Sequence, residues 1–352
     1  MKKLLSLAAV IAAGLLAGGC AMGGATGEKT VLGNQSLEDQ DYSAAVSCFQ
    51  EAVKDGEEPV LAKRGLGMAY MGLAQYDAAV DAFEEAISEA KDDGKMPETV
   101  RDLQMYLVSA HYRLGDYEES AVICTEILSQ ENGISSEVYF MRGASLLKQN
   151  LVEEAKKDFD EAVRLTPRDY TLFLNIYECY DEMNLSGEGS GYLQQALDIR
   201  GDTVEDAYHR GRIYYYLEEY EKAQKELTVP VEQKQEESMY LMGLVYLALE
   251  DDTHARNIYD QIRTEYGDST RCCNGLALCA MAEENYDQAL EWISQGLSLD
   301  GNEGKQELYF NEMICYERKL DFETAKKKAQ EYAQNYPSDE KGQKELKFLQ
   351  SR

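Results

Sequence analysis

From about residue 28 onward, small apolar, large apolar and polar positions recur on a helical period, and the same arrangement returns many times. In the clearest copy Gly67 is followed by Tyr70, Tyr76, Ala79, Phe83 and Ala86. Their three- and four-residue steps put each group on one face of a helix. The twelve-residue interval from Gly67 to Ala79 returns from Gly33 to Ala45, Gly143 to Ala155, Gly211 to Ala223 and Gly243 to Ala255. With other residue types it also joins Val108 to Ser120, Tyr177 to Gly189, Ala277 to Ala289 and Met313 to Ala325. The first members of these nine units lie 34, 41, 35, 34, 34, 32, 34 and 36 residues apart. A period near 34 fits two antiparallel helices with short turns.

The residue types have a physical reason. Two helices cross closely where both carry a small side chain, so the Gly or Ala of the first helix and the Ala of the second mark the crossing. Three residues before the second member stands a large residue that plugs the turn, such as Tyr42, Tyr76, Tyr117, Tyr220, Tyr286 or Phe322. Four residues after it comes another, such as Phe49, Phe83, Phe159, Leu193, Leu227, Tyr259 or Ile293, one turn along the same buried face. Breakers such as Asp55-Gly56, Asp93-Gly94, Asn132-Gly133, Gly201-Asp202 and Asp300-Gly301 end units, and Pro167 and Pro337 stand where the next begins. Three places depart from the pattern. The fifth unit has Ser186 and Gly189, the sixth carries Pro230 inside its second helix, and seven extra residues between the second and third units fall within Ser88 to Glu98.

This order of small, aromatic and proline places resembles the tetratricopeptide repeat family over about residues 28 to 337. The resemblance implies an all-α, right-handed α-solenoid of about nine helix-turn-helix repeats over 31–337, closed by a cap helix over 338–352. It further implies that first-helix residues three before, one after and four after the glycine place line a concave groove that holds a protein or peptide. Those positions include Arg64, Met68 and Met71, then Met105, Ser109 and Tyr112, then Phe140, then Tyr208, Arg212 and Tyr215, and Tyr240. Of the 24 such positions in the second to ninth units only Glu178, Asp181 and Glu317 are acidic. The stripe is therefore apolar, aromatic and Met-rich, as adaptable binding surfaces are. The blander reading packs part of it between neighbouring first helices; it weighs most for the aliphatic members and least for Tyr208, Arg212 and Tyr215, since Tyr and Arg anchor interfaces. The Lys and Asn arrangement with which some family members clamp a terminal carboxylate is not present.

At the amino terminus, Lys2 and Lys3 precede an apolar stretch from Leu4 to Ala17 and the small pair Gly18-Gly19. Residues 1–19 read as a secretory signal peptide. An apolar run of that length is shorter than the ~20 residues a membrane-spanning helix needs. Leu16-Ala17-Gly18-Gly19-Cys20 resembles a bacterial lipobox, which implies that Cys20 is acylated and becomes the first residue of the mature chain. Residues 20–30 then form a lipidated, flexible tether, and the expected location is the cell membrane or outer membrane, lipid-anchored and outside the cytoplasm.

Composition narrows the partner. Asp and Glu number 65 against 35 Lys and Arg, a net charge of −30, and such a chain repels phosphate backbones. Nucleic-acid binding is not expected, and membrane contact is expected only through the anchor. His111, His209 and His254 fall in three different units without spaced partners, and neither a phosphate loop nor GxSxG nor HExxH occurs. No catalysis, cofactor, metal or small-molecule substrate is expected. Beyond Cys20 seven cysteines remain, an odd number that argues against a full disulfide framework. Cys179, Cys279 and Cys315 take a place two after the glycine position, where core packing is expected. Cys272 and Cys273, seven and six residues before Cys279, have no fourth ligand nearby in sequence, so packing outweighs a metal site. The function expected is a membrane-tethered protein-interaction scaffold of a bacterial envelope. The alternative is an assembly factor or pilotin-like lipoprotein for a pilus, secretion or outer-membrane machine.

Overall fold

A computed structural model describes residues 27–92, 97–130, 132–301, 304–336 and 339–352. Within them there are helices and no strands, and the chain divides into two compact units, Met1–Ile199 and Arg200–Arg352. The first holds five helical hairpins: α1 (Glu28–Glu38) with α2 (Tyr42–Asp55), α3 (Pro59–Gly72) with α4 (Tyr76–Asp92), α5 (Pro97–Leu114) with α6 (Tyr117–Ser129), α7 (Ser136–Lys148) with α8 (Val152–Leu165), and α9 (Tyr170–Glu182) with α10 (Ser186–Ala196). The second holds four more: α11 (Val204–Tyr216) with α12 (Tyr220–Glu232), α13 (Glu236–Ala248) with α14 (Asp252–Tyr266), α15 (Thr270–Ala282) with α16 (Tyr286–Ser298), and α17 (Lys305–Arg318) with α18 (Phe322–Asn335). The cap helix α19 (Glu340–Gln350) follows and buries Leu349 against Met313, Ala325 and Ala329.

These nine hairpins are the nine units of the repeat, and both crossing positions are buried in every one. The signal segment, Cys20 and residues 21–26 lie outside the described residues, as do Asp93, Gly94 and Pro337. Helix α1 begins at Glu28, so Glu28, Lys29 and Thr30 belong to the array and not to the tether, and Thr30 is buried. On either side of residues 93–96 the helices are long, 17 residues in α4 and 18 in α5, so most of the extra residues extend helices.

The glycine place works differently from the crossing argument above. A Cβ on Gly67 would come within 2.4 Å of the Phe83 ring, and one on Gly143 within 2.8 Å of the Phe159 ring. The missing side chain thus makes a seat for the large residue one turn along the second helix. The fifth repeat inverts the pair: Tyr177 occupies the first-helix place, and Gly189 leaves room for it and for Tyr180. Large against small is kept, with the partners exchanged. Pro230 lies in the last turn of α12, which runs on to Glu232, so the helix loses one i→i−4 hydrogen bond near its end without being cut short there.

Each first helix ends on the same motif. The residue seven after the glycine place has a left-handed backbone in all nine repeats: Gln40, Ala74, Gly115, Asn150, Asn184, Glu218, Glu250, Glu284 and Leu320. The following amide donates to a carbonyl five residues back, from Asp41 to Ser36 at 2.8 Å through to Asp321 to Tyr316 at 3.0 Å. This satisfies the helix-end carbonyls and turns the chain back on itself. Leu320 holds this conformation with φ 62° while its side chain is 73% exposed. Leu320→Gly removes the Cβ clash and little packing, so it should stabilise the last hairpin by about 1 kcal/mol. Slower amide exchange in α17 and α18 is the measurement that checks it.

Candidate partner-binding face

The first helices present the stripe in two different ways. In the first unit Arg64, Met68 and Met71 on α3 and Met105 on α5 are half-buried. Met68 packs against the Phe49 cluster beneath. The Arg64 Nε is buried with no hydrogen-bond partner, and among the described residues no carboxylate pairs with this guanidinium. Its charge acts on the Tyr106 hydroxyl, opposing the upward shift that burial imposes there. In the second unit Tyr208 and Arg212 on α11 are also half-buried, with the Arg212 guanidinium 5.7 Å above the Tyr208 ring. Burial raises the Tyr208 hydroxyl, and the Arg212 and Arg271 cations hold it back. No described carboxylate pairs with Arg212.

Four stripe residues expected to face a partner are instead packed away, and this corrects the sequence reading. Phe140 is 6% exposed with its ring 6.0 Å from Phe159, and Tyr112 is buried edge-on against Tyr117 at 5.3 Å. Tyr215 is buried against Tyr220 at 5.8 Å. Tyr240, 4% exposed, donates to or accepts from Ser269 at 2.8 Å and lies under the Arg271 guanidinium at 4.1 Å. Phe140, Tyr112 and Tyr215 thus pack onto the second helix of their own hairpin, and Tyr240 onto the start of the next repeat. Burial pushes the hydroxyls of Tyr215 and Tyr240 up to about 12. Among the stripe residues named from the sequence, Arg64, Met68, Met71, Met105, Tyr208 and Arg212 stay open to a partner.

Arg271 was missed in the sequence because it stands six residues before its glycine place, outside the three positions considered. Its Nη1 donates to Glu237 at 2.7 Å, so it is a compensated charge beside Arg212. A similar polar link joins Asn311 to Asn274 at 2.8 Å on the same side of α17 and α15.

The cysteines are core residues. Cys124, Cys179, Cys272, Cys273, Cys279 and Cys315 are buried free thiols, and Cys48 is half-buried. Burial pushes Cys124, Cys272, Cys279 and Cys315 up to about 12 and Cys273 up to about 11. At neutral pH these groups stay protonated, and the thiol is a poor nucleophile and ligand. Cys272 donates its proton to the Tyr259 carbonyl at 3.4 Å. Among the described residues no group of three His, Cys, Asp or Glu side chains is arranged to hold a metal ion. Under native conditions Cys48 should react with a disulfide reagent fast and these six slowly, with the difference abolished in denaturant. Comparable native rates for Cys272 and Cys48 would contradict the burial.

The architecture defines a class: a helical-hairpin repeat protein whose exposed chemistry suits contact with another polypeptide. Three segments, residues 31–97, 136–169 and 237–269, match tetratricopeptide repeat, and each falls in phase with the hairpins. The chain thus carries tetratricopeptide repeats in both units, and such repeats support a protein-interaction scaffold. The chain is similar to an Hsp70-Hsp90 organizing protein of Triticum aestivum, 22% identical over 184 residues, covering 52% of this chain and 30% of that one. It is also similar to the BBSome complex member BBS4 of Bos taurus, 22% identical over 211 residues, covering 58% and 40%. The match thus spans well under half of either relative's length. A tetratricopeptide repeat protein from Parabacteroides merdae superposes with a TM-score of 0.47 at 11% identity, over 76% of this chain and 98% of that one.

Proposed function

We propose that the protein is a membrane-tethered interaction scaffold of a bacterial cell envelope, anchored through acylated Cys20, that holds a protein or peptide segment against its first-helix face. The observation that carries the binding half is Arg212. A half-buried guanidinium stacked on Tyr208, without a described carboxylate in so acidic a chain, is a charge held for a group from outside. The half-buried methionines of α3 and α5 supply adaptable apolar contact. The names of the two relatives, an organizing protein and a complex member, accord with such a role. Support for the anchor is the Lys2-Lys3, apolar stretch and Gly18-Gly19-Cys20 sequence. Among the described residues no helix is long and apolar enough to cross a membrane.

Arg212→Glu and Tyr208→Ala should each weaken capture of the envelope partner about tenfold or more, with helicity unchanged by circular dichroism. Crosslinking in intact cells supplies the partner and the readout. Retained capture in both variants defeats the groove assignment. Separately, Cys20→Ser should move the protein from the membrane fraction to the soluble one, and retention in the membrane fraction defeats the anchor.

A further inference from the structure

A second surface lies away from the first-helix stripe, between consecutive second helices of the first unit. Helices α6 and α8 flank a cleft of about 710 Å³ whose bottom is formed by α7. Tyr139 and Leu146 of α7 and Ala121 of α6 make its apolar floor, and Val122, 44% exposed, stands on its wall. Arg142 adds no free charge at the bottom: its Nε and Nη2 donate to Asp158 at 2.7 Å each, and its guanidinium lies 5.6 Å from the Tyr139 ring centre. The rim is acidic. Glu118 and Glu126 line the α6 side and Glu154 and Glu161 the α8 side; Lys157 stands among them, and Glu161 already accepts from Arg164 at 2.8 Å, which leaves Glu118, Glu126 and Glu154 as the open carboxylates.

The second unit contains the same place in its repeat, between α12 and α14 over α13, and there the cleft is closed down to about 290 Å³. Lys225 and Gln224 stand where the first unit has Val122 and Ala121, and Tyr246 stands where it has Leu146. The repeat fold is therefore satisfied by polar or larger residues at these positions. The exposed valine and the open apolar floor are particular to the first unit, and packing does not demand them.

We propose that this cleft docks a cationic amphipathic helix of a partner protein, with apolar side chains on Val122, Tyr139 and Leu146 and Lys or Arg side chains on the two glutamate rows. Charge complementarity selects the occupant: acidic rows on both sides of an apolar furrow match a helix with an apolar stripe flanked by cations. Glu118 and Glu126 are eight residues apart, about 12 Å along α6, so two to three turns of the partner suffice. This site stands independently of the first-helix groove, and its occupant has the opposite charge from a group that Arg212 would hold.

The test uses the full chain and a fluorescein-labelled Leu/Lys amphipathic helix of roughly 18 residues, five turns, read by anisotropy at physiological salt. The expected result is saturable one-to-one binding that Val122→Gln weakens about tenfold without changing net charge. Glu118→Gln with Glu154→Gln should weaken it too and flatten its salt dependence. Arg212→Glu should leave it within about twofold, which separates this site from the groove. Val122→Lys, copying Lys225, is the second blocking variant, and a melting curve verifies that each folds. The proposal is overturned if a scrambled Leu/Lys peptide binds as tightly, if Val122→Gln and Val122→Lys bind undiminished, or if no saturable binding occurs.

Discussion

Phe49→Ala should destabilise the first two repeats by about 4 kcal/mol, near the top of the range for removing a buried aromatic side chain. The ring is fully buried and fits two seats at once: a Cβ on Gly33 of α1 would come within 2.7 Å of it, and one on Gly65 of α3 within 2.3 Å. It therefore keys α2 both to its own hairpin partner and to the next repeat. Its neighbours Ala45, Ala69 and Leu37 are short or fixed by their helices and do not collapse into the space. Because repeat arrays gain stability from nearest neighbours, the loss should concentrate at the amino-terminal end. Hydrogen exchange should show α1 to α3 opening first, while α15 to α18 keep their protection. Gly65→Ala tests the same seat from the other side and should cost a comparable amount by displacing the ring. A change below about 1 kcal/mol in both variants would be incompatible with this double seat.

The second large effect concerns Arg142 and Asp158. Asp158 is 5% exposed, and its carboxylate accepts both hydrogen bonds of the guanidinium at 2.7 Å. That contact raises the Arg142 pKa, against the desolvation that lowers it. Asp158→Ala leaves a partly buried cation without its partner and should cost about 3 kcal/mol. The seventh repeat shows what can replace the pair, since Met242 and Ile258 occupy the equivalent positions. The double variant Arg142→Met with Asp158→Ile should accordingly lie within about 1 kcal/mol of the parent, because two apolar side chains of similar size avoid the desolvation of two charges. Chemical denaturation of the three proteins decides it. A double variant as unstable as the single one would mean that the ion pair contributes more than the packing that replaces it.

Much of the fold was legible in the residues. Gly67, Ala79, Phe83 and their counterparts report local periods of 3.6 and 34 residues, which specify helix faces and hairpins wherever the sequence repeats. Even the degenerate fifth repeat kept its phase, because Tyr177 and Gly189 preserve the spacing while exchanging sizes. The turn motif was not legible: a left-handed residue at Gly115, Asn150 or Asn184 has a sequence signal, but Gln40, Ala74 and Leu320 have none. There the backbone is set by the hydrogen bond closing the helix and by the packing of the two helices around it.

The binding stripe was legible only by position. Sequence spacing places Arg64, Phe140, Tyr208 and Tyr240 equivalently on their helices, yet Phe140 and Tyr240 are buried and Arg64 and Tyr208 are half-buried. Anchor, signal segment and partner rest on the sequence and on proposals drawn from it. By itself, the sequence determined the all-helical repeat, its nine units and the acidic charge, since each depends on residues near in the chain or on composition. Tertiary structure alone decided that Phe49 serves two repeats, that Arg142 is spent on Asp158, that Arg212 is left uncompensated, and that one cleft between second helices stays open. Each of these is a distance between side chains brought together from different helices, and packing between helices sets such distances.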